Sequence, residues 1–246
     1  MTIKTNHKNT VYVGDIHGKF GELGFEIYNR FKLEDTLIIC LGDIGMGFES
    51  DGYYNPVFSK LQKKLEKLNS TLVFFRGNHD DPGWFQGTSA WSRIEFADDY
   101  SIIEQNGIKS LIVGGGLSVD RSYRKQHTNN GQGIYWPNES IILPDATREW
   151  LKEQKDISIM LTHMAPKCAW PHTKIGIQGW LREDPNLIVE DEIQRGFLTE
   201  IKDILNANGN KITNWFYGHY HEDHLDIIDN IKYRCVEMNK VYEERE

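Results

Sequence analysis

The chain has 246 residues, of which 39% are hydrophobic and 26% charged, with a formal net charge of −8. That composition is ordinary for a globular protein, and a chain of this length buries roughly 70–75% of its unfolded surface without disulfide or metal staples. The negative charge argues against extended nucleic-acid binding, which needs Lys and Arg clustered against phosphates.

No apolar run is long enough to span a bilayer; Leu37–Leu41 is strand-sized. Met1–Thr10 is polar and basic, so neither a signal peptide nor a membrane partner is expected. Cys40, Cys168 and Cys235 are scattered and form no CxxC pair. So sparse a set points to a reducing compartment, and a cytoplasmic location is the expectation. No repeat or low-complexity linker divides the chain, which is read as one domain over 1–246. Oligomeric state is left open.

Thr10–Val13 reads as a strand. Phe20, Leu23, Ile27 and Phe31 share one face of a helix. Thr36–Leu41 is a continuous apolar run, as in a strand buried on both faces. Val57, Phe58, Leu61, Leu65 and Leu68 mark a second amphipathic helix, and Thr71–Phe75 the next strand. Strand–helix–strand–helix–strand is the pattern of a parallel sheet. Ser101–Gln105 and Ile108–Val113 then flank Asn106-Gly107, a hairpin signal, because both residues tolerate positive φ. Leu117–Asn138 is long and polar, so a substrate loop is expected at 117–139. Asp145 is placed as the cap of a helix running through Leu151. Ile157–Leu161, Thr213–Tyr217 and Ile231–Val236 read as strands, Ile188–Leu205 as a helix, and Tyr242–Glu246 as a solvated tail. The acidic Glu190–Glu192 suits a helix N-terminus.

Five predicted strands run directly into polar residues: Gly14-Asp15-Ile16-His17-Gly18, Gly42-Asp43, Gly77-Asn78-His79-Asp80, Thr162-His163 and Gly218-His219-Tyr220-His221. Sites in α/β sheets form beyond the carboxyl ends of strands. Convergence of these ends gathers Asp15, His17, Asp43, Asn78, His163, His219 and His221. Carboxylate, imidazole and amide oxygen without thiolate suit Mn²⁺, Fe or Zn²⁺. Seven ligands suit two ions with a bridging carboxylate, since neighbouring dications need a shared anion. The glycines remove Cβ where backbone must pass close to the ions.

In order and spacing, GDIHG, GD, GNHD, TH and GHYH resemble the calcineurin-like metallophosphoesterases, over Asp15 to His221. The resemblance implies an α/β fold, a sandwich of two mixed β-sheets flanked by helices, with two metals at one sheet edge. It implies that Asp15, His17, Asp43 and His221 hold one ion, with Asp43 bridging, and that Asn78, His163 and His219 hold the other. His79 would face the phosphoryl group as catalytic residue and Asp80 would hydrogen-bond and orient it. The implied reaction is hydrolysis of a phosphate ester by hydroxide held between the ions. The leading expectation is a phosphomonoesterase acting on a phosphoprotein or a small phosphorylated compound, with Mn²⁺ the favoured ion. The alternatives are a phosphodiesterase or nuclease for cyclic nucleotides or nucleic-acid ends, and a non-enzymatic scaffold. The scaffold is disfavoured because no expected ligand is missing.

One departure stands out. Met46 and Gly47 occupy the place of the Asp-Arg that follows the second motif in protein Ser/Thr phosphatases. Arg121 and Arg124, in GGGLSVDRSYR, are the replacement candidates for substrate phosphate, as guanidinium pairs with phosphate oxygens bidentately. Arg76 reads as a surface salt-bridge former. His224 reads as a surface residue or one supporting the ligands, and His7, His127 and His172 as solvent-facing. Trp84, Trp91, Trp136, Trp170 and Trp180 read as core or loop anchors, with a pocket wall for a base or an aryl group as the less favoured reading.

Overall fold

The structure is a computed structural model, and it describes residues 1–128, 135–171 and 177–243. Twelve strands form two sheets among the described residues. The strands are β1 (Thr2–Thr5), β2 (Asn9–Val13), β3 (Thr36–Cys40), β4 (Thr71–Phe74), β5 (Ile94–Phe96), β6 (Ile102–Gln105), β7 (Ile108–Val113), β8 (Ile157–Thr162), β9 (Asn214–Tyr217), β10 (His224–Ile228), β11 (Ile231–Cys235) and β12 (Val241–Glu243). The smaller sheet has the order β12-β2-β3-β4-β5, and the larger β1-β6-β7-β8-β9-β11-β10. Both are mixed. β2, β3, β4 and β5 run parallel, as do β7, β8 and β9, while β12 pairs antiparallel to β2 and β6 to β7.

Between the sheets lies a core of Tyr12, Leu37, Ile39, Val73 and Phe75 from one side and Ile103, Ile112, Leu161 and Phe216 from the other. Tyr12 stacks on Phe216 across it, with ring centroids 3.7 Å apart. The alternate residues of the central strands face outward onto helices, which explains the unbroken apolar runs: both faces are covered. On the small sheet the cover is α1 (Phe20–Phe25), which continues as a π-helical turn through Arg30, and α2 (Asp51–Leu68). On the large sheet it includes α5 (Leu187–Ala207). A short α3 (Arg121–His127) and α4 (Asp145–Glu153) lie between β7 and β8 in the chain.

Several expectations are corrected. The long polar stretch after β7 contains α3; residues 129–134 of the expected substrate loop lie outside the described residues. Asp145 is in the first turn of α4, whose cap position is Pro144. The end of the chain up to Glu243 is not a free tail, because Val241–Glu243 pairs with β2; 244–246 lie outside the described residues. β1, β5 and β10 add to the strands expected from the sequence. Each has three to five residues, and β10 alternates between half-buried and exposed positions, which gives little apolar signal. His7 is not solvent-facing: it is 6% exposed, and its ring nitrogens meet Asp35 at 3.2 Å and Thr71 at 2.9 Å. His172 lies outside the described residues.

Candidate metal centre

The carboxyl ends of β2, β3 and β4 from one sheet and β8 and β9 from the other open on the same edge of the sandwich. Each leads into one of the five polar runs. Asp15 and His17 follow β2, Asp43 follows β3, Asn78 and His79 follow β4, His163 follows β8, and His219 and His221 follow β9. Four of these, His17, Asp43, His219 and His221, have positive φ, between 43° and 69°. Such backbone costs on the order of 1–3 kcal/mol per residue and persists where the surroundings over-determine it, as at ligand clamps.

Two groups of ligand atoms result, each within 4.8 Å: Asp15, His17 and His221 in one, Asp43, His163 and His219 in the other. Asp15 Oδ2 lies 3.1 Å from His221 Nε2, and the Nε2 atoms of His17 and His221 are 3.0 Å apart. In the second group His163 Nε2 is 3.2 Å from Asp43 Oδ1, 3.2 Å from His219 Nδ1 and 3.0 Å from Asn78 Oδ1. Asp43 spans both, with Oδ2 3.8 Å from His17 Nε2. A carboxylate with one oxygen facing each group is the geometry a bridging ligand needs.

The donor set fits cations on independent grounds. Asp15 and Asp43 are buried carboxylates, and among the described residues their side-chain partners are imidazoles. Backbone N–H groups of His219 and His79 add one donor residue to each. Buried anions need compensating charge. Burial lowers the His163 pKa, but Asp43 and Asp15 outweigh it and push the ring up to about 9. Burial alone would raise Asp43; His163 and His79 hold its carboxyl well below the usual range. The carboxylates thus draw positive charge inward, a task a divalent cation performs more strongly. Space is reserved as well. A Cβ on Gly77 would overlap Asp43 Oδ1, and one on Gly218 would overlap Asp15 Oδ1. Among the described residues neither group contains a cysteine, so the donors are nitrogen and oxygen.

Behind the second group lies a buried polar network that the sequence motifs did not announce. Asn78 Nδ2 donates to Ser118 Oγ at 2.9 Å. Ser118 Oγ donates to Glu139 Oε2 at 2.6 Å, and the Ser118 N–H donates to Glu139 Oε1 at 3.0 Å. Arg124 completes it, donating to Ser118 Oγ and lying 3.5 Å from Glu139. The network takes up the amide nitrogen of Asn78 and leaves its oxygen aimed at His163. The other anchor is the Leu41 carbonyl, 2.8 Å from His163 Nδ1, which turns Nε2 toward the site. Such partners fix the orientation of metal-ligating side chains.

Arg124 is therefore corrected from phosphate contact to buried support. It is 3% exposed, with its guanidinium carbon 5.9 Å from the Trp136 ring centre. Arg121 is likewise committed within the protein: it pairs with Asp184 at 2.5 Å and with Glu190. Asp80 does not hydrogen-bond His79. Its carboxylate accepts from the backbone N–H of Ile44, Gly45, Met46 and Gly77 at 2.7–3.1 Å, so it ties the β3 loop to the β4 loop. The donors are offered because the residues after Asp43 turn back over it, with Gly45 at φ 91°. Burial and Asp43 still push Asp80 up to about 6. Arg76 is also not a surface residue. It is 4% exposed, and it binds Asp99 and the carbonyls of Asn138, Glu139 and Ser140. His224 meets Asp226 at 3.2 Å and belongs to neither group.

His79 is half-buried, and its ring sits edge-on to His17 with centroids 5.3 Å apart. Burial lowers its pKa, and the charges of Arg124 and His17 add to that. It lies between two cavities. One of about 490 Å³ is lined by Asp43, Asn78, His219 and His221 on its polar side. The other, of about 410 Å³, is lined by His17, Phe48 and Tyr53. Trp170 and Trp180 face the first. Trp84 and Trp91 pack on the small-sheet core, and Trp136 contacts Phe48.

A family model, calcineurin-like phosphoesterase, matches residues 9–223. The chain belongs to that family of metal-dependent phosphoric ester hydrolases. Comparison with curated proteins gave no match. Among solved structures, a phosphopantetheinyl hydrolase from Mycobacterium tuberculosis is similar at 11% identity and TM-score 0.48, over 94% of this chain and 90% of that one. A cold-active protein-tyrosine phosphatase of a Shewanella species is similar at 14% identity and TM-score 0.42, over 98% and 76%. GAP50, the anchor in the inner membrane complex of Plasmodium, is similar at 11% identity and TM-score 0.44, over 95% and 72%. Among the described residues no helix is long and apolar enough to cross a membrane.

Proposed function

We propose that the protein is a phosphomonoesterase using two divalent cations, with Mn²⁺ the favoured pair and Fe or Zn²⁺ compatible with the same donors. The observation that carries this is Asp43, whose two carboxylate oxygens each face a separate imidazole group. One cation would be held by Asp15, His17, Asp43 and His221, the other by Asp43, Asn78, His163 and His219. When bound, the pair supplies Lewis acidity toward phosphoryl oxygens and lowers the pKa of water from 15.7 toward about 7.

The chain's own residues do the rest. Asp43 holds the two groups in register, and its Oδ1 is fixed by the His79 N–H at 2.7 Å. Asn78, held by Ser118, keeps its oxygen on the inner side of the site. His79, which borders the cavity, would face the departing oxygen and give it a proton as the phosphorus–oxygen bond breaks, taking one back from the attacking water. The oxygen of water becomes the fourth oxygen of the released phosphate. Acid assistance of this kind contributes about 10²–10⁴ in rate.

The charge of the lining argues against a nucleic-acid strand as substrate. Asp120, Asp191 and Glu222 line the larger cavity, and a polyanionic strand would meet them unfavourably. The physiological partner is accordingly a phosphorylated substrate rather than a nucleic acid or a membrane. The sparse, scattered cysteines support a cytoplasmic location as part of this reading. The test is a Mn²⁺-supplemented panel of an aryl monoester, an aryl diester, a phosphopeptide, cyclic nucleotides and single-stranded DNA. Monoester cleavage well above diester cleavage is expected; the reverse order would replace this reading with a phosphodiesterase.

A further inference from the structure

The larger cavity beside the metal groups is not lined like a general phosphate site. One wall carries the ligands Asp43, Asn78, His219 and His221. The lining also carries the apolar and aromatic side chains of Leu117, Val119, Trp170, Ile177 and Trp180. The two tryptophans are half-buried and packed on the large-sheet core, so each keeps part of its surface open. Trp170 is held edge-on to Tyr220, with centroids 5.4 Å apart, and Tyr220 in turn lies edge-on to His219 at 4.9 Å. A chain of ring contacts therefore connects the apolar wall to a ligand. A rigid aromatic surface beside a reaction centre selects planar apolar groups, by area and by ring geometry.

Charge narrows the occupant further. Among the described residues Arg195 is the Lys or Arg side chain in this lining, and its donors are spent on the carbonyls of Ala165, Pro166, Ala169 and Pro171 at 2.6–3.2 Å. Asp120, Asp191 and Glu222 lie in the same lining. Among the described residues the lining thus offers no further cation for a second phosphate or a carboxylate beyond the metal groups, while Asp120 and Glu222 bring negative charge to it.

Building on the phosphomonoesterase reading, we propose that the substrate is an aryl phosphate monoester: one phosphoryl group, an aromatic leaving group seated against Trp170 and Trp180, and neutral or cationic chemistry beyond the ring. The ring is placed in this cavity and not the one lined by Phe48 and Tyr53 because ligands of both metal groups open onto it. The shared chemistry is a phenolic phosphate, either a free aryl compound or phosphotyrosine in a protein.

The experiment measures binding of phosphonates that cannot be hydrolysed, by calorimetry on the full Mn²⁺-loaded chain. Affinities then do not depend on leaving-group reactivity. Naphthylmethylphosphonate should bind at least about 10-fold more tightly than ethylphosphonate, from the apolar area it buries. Trp180→Ala should reduce that advantage to less than about 3-fold while leaving ethylphosphonate binding unchanged, whereas Tyr53→Ala, in the opposite cavity, should preserve it. Equal affinities in the wild type, or an advantage lost through Tyr53 and not Trp180, would overturn the proposal.

A charge arm avoids any core substitution. A benzylphosphonate bearing a trimethylammonium group should bind more tightly than one bearing a sulfonate, and Glu222→Gln, at an exposed position, should narrow the gap. Preference for the sulfonate would contradict the charge argument. Turnover of free phosphotyrosine against a neutral phosphotyrosine peptide separates the two sources. Cleavage of alkyl monoesters but neither aryl ester would refute the aryl assignment alone. Failure to cleave any ester, with phosphonate binding intact, would instead refute the phosphomonoesterase reading.

Discussion

The two metal groups differ in how they are built. In the outer one, Asp15 is buried, but the side chains of His17 and His221 are 26% and 46% exposed. In the inner one the side chain of His163 is fully buried, and Asp43 and Asn78 are nearly so. The inner group also has a support layer, with Leu41 behind His163 and Ser118, Glu139 and Arg124 behind Asn78. The outer imidazoles are held by their loops. Burial with pre-oriented donors favours retention, and exposure favours exchange. The inner group would therefore hold its ion the more firmly, and the outer group would be the one that solution conditions deplete first.

Asp43 belongs to both groups, so its loss gives the largest effect. Asp43→Asn should abolish binding of the second ion, weaken the first and lower kcat by at least about 10³-fold, since several kcal/mol of charge stabilisation is removed. Metal content after dialysis, read beside turnover, checks it; two retained ions would contradict the bridge. His79 comes next because it touches the chemistry without belonging to either group. His79→Ala should keep both ions and lose about 10²–10⁴ in kcat. Loss of an ion would make His79 a ligand and erase that distinction.

The asymmetry itself is tested by removing support from one side. Ser118→Ala should weaken the inner ion by about 10–100-fold and leave the outer ion's affinity unchanged in a competition titration with chelator. His221→Ala should do the converse, and excess Mn²⁺ should restore part of its activity. Equal sensitivity of both ions to Ser118 would mean that burial and second-layer contacts do not set the order of occupancy.

The same contrast shows which parts of the structure were legible from sequence. Every residue of both groups lies within four residues of the end of an apolar strand, and all but His221 stand next to a glycine or a threonine, so local pattern was enough to find them. The support layer has no such pattern. Ser118 and Glu139 are ordinary polar residues 21 positions apart, and they meet because the chain between β7 and β8 returns over the site. Arg124 illustrates the limit: its charge was visible, but burial, which turns a phosphate contact into an internal brace, is a property of the tertiary structure. Asp80 misled for a related reason. Adjacency to His79 suggested a partner, but backbone N–H groups of the neighbouring loop captured the carboxylate first. In the fold, strands buried on both faces were legible, while the short edges β1, β5, β10 and β12 draw their pairing from neighbours that no local window contains.

The smallest effect expected concerns protonation of the support layer. Burial pushes the Glu139 pKa up to about 7, with Ser118 and Arg124 pulling in the opposite direction. Its ordinary value is 4.5, so between those values the folded state binds more protons than the unfolded state. The slope of unfolding free energy with pH is then negative. The contribution of Glu139 is fully present below pH 4.5 and is lost as pH rises through 7. Glu139→Gln cannot titrate and keeps an oxygen to accept from Ser118. Its Tm, measured with chelator present, should therefore fall less than that of the wild type over this interval, with the two curves diverging by a few degrees. Parallel curves would show that Glu139 is ionised throughout, held by Arg124 as an ion pair. The brace behind Asn78 would then be as firmly charged as the ligands it supports.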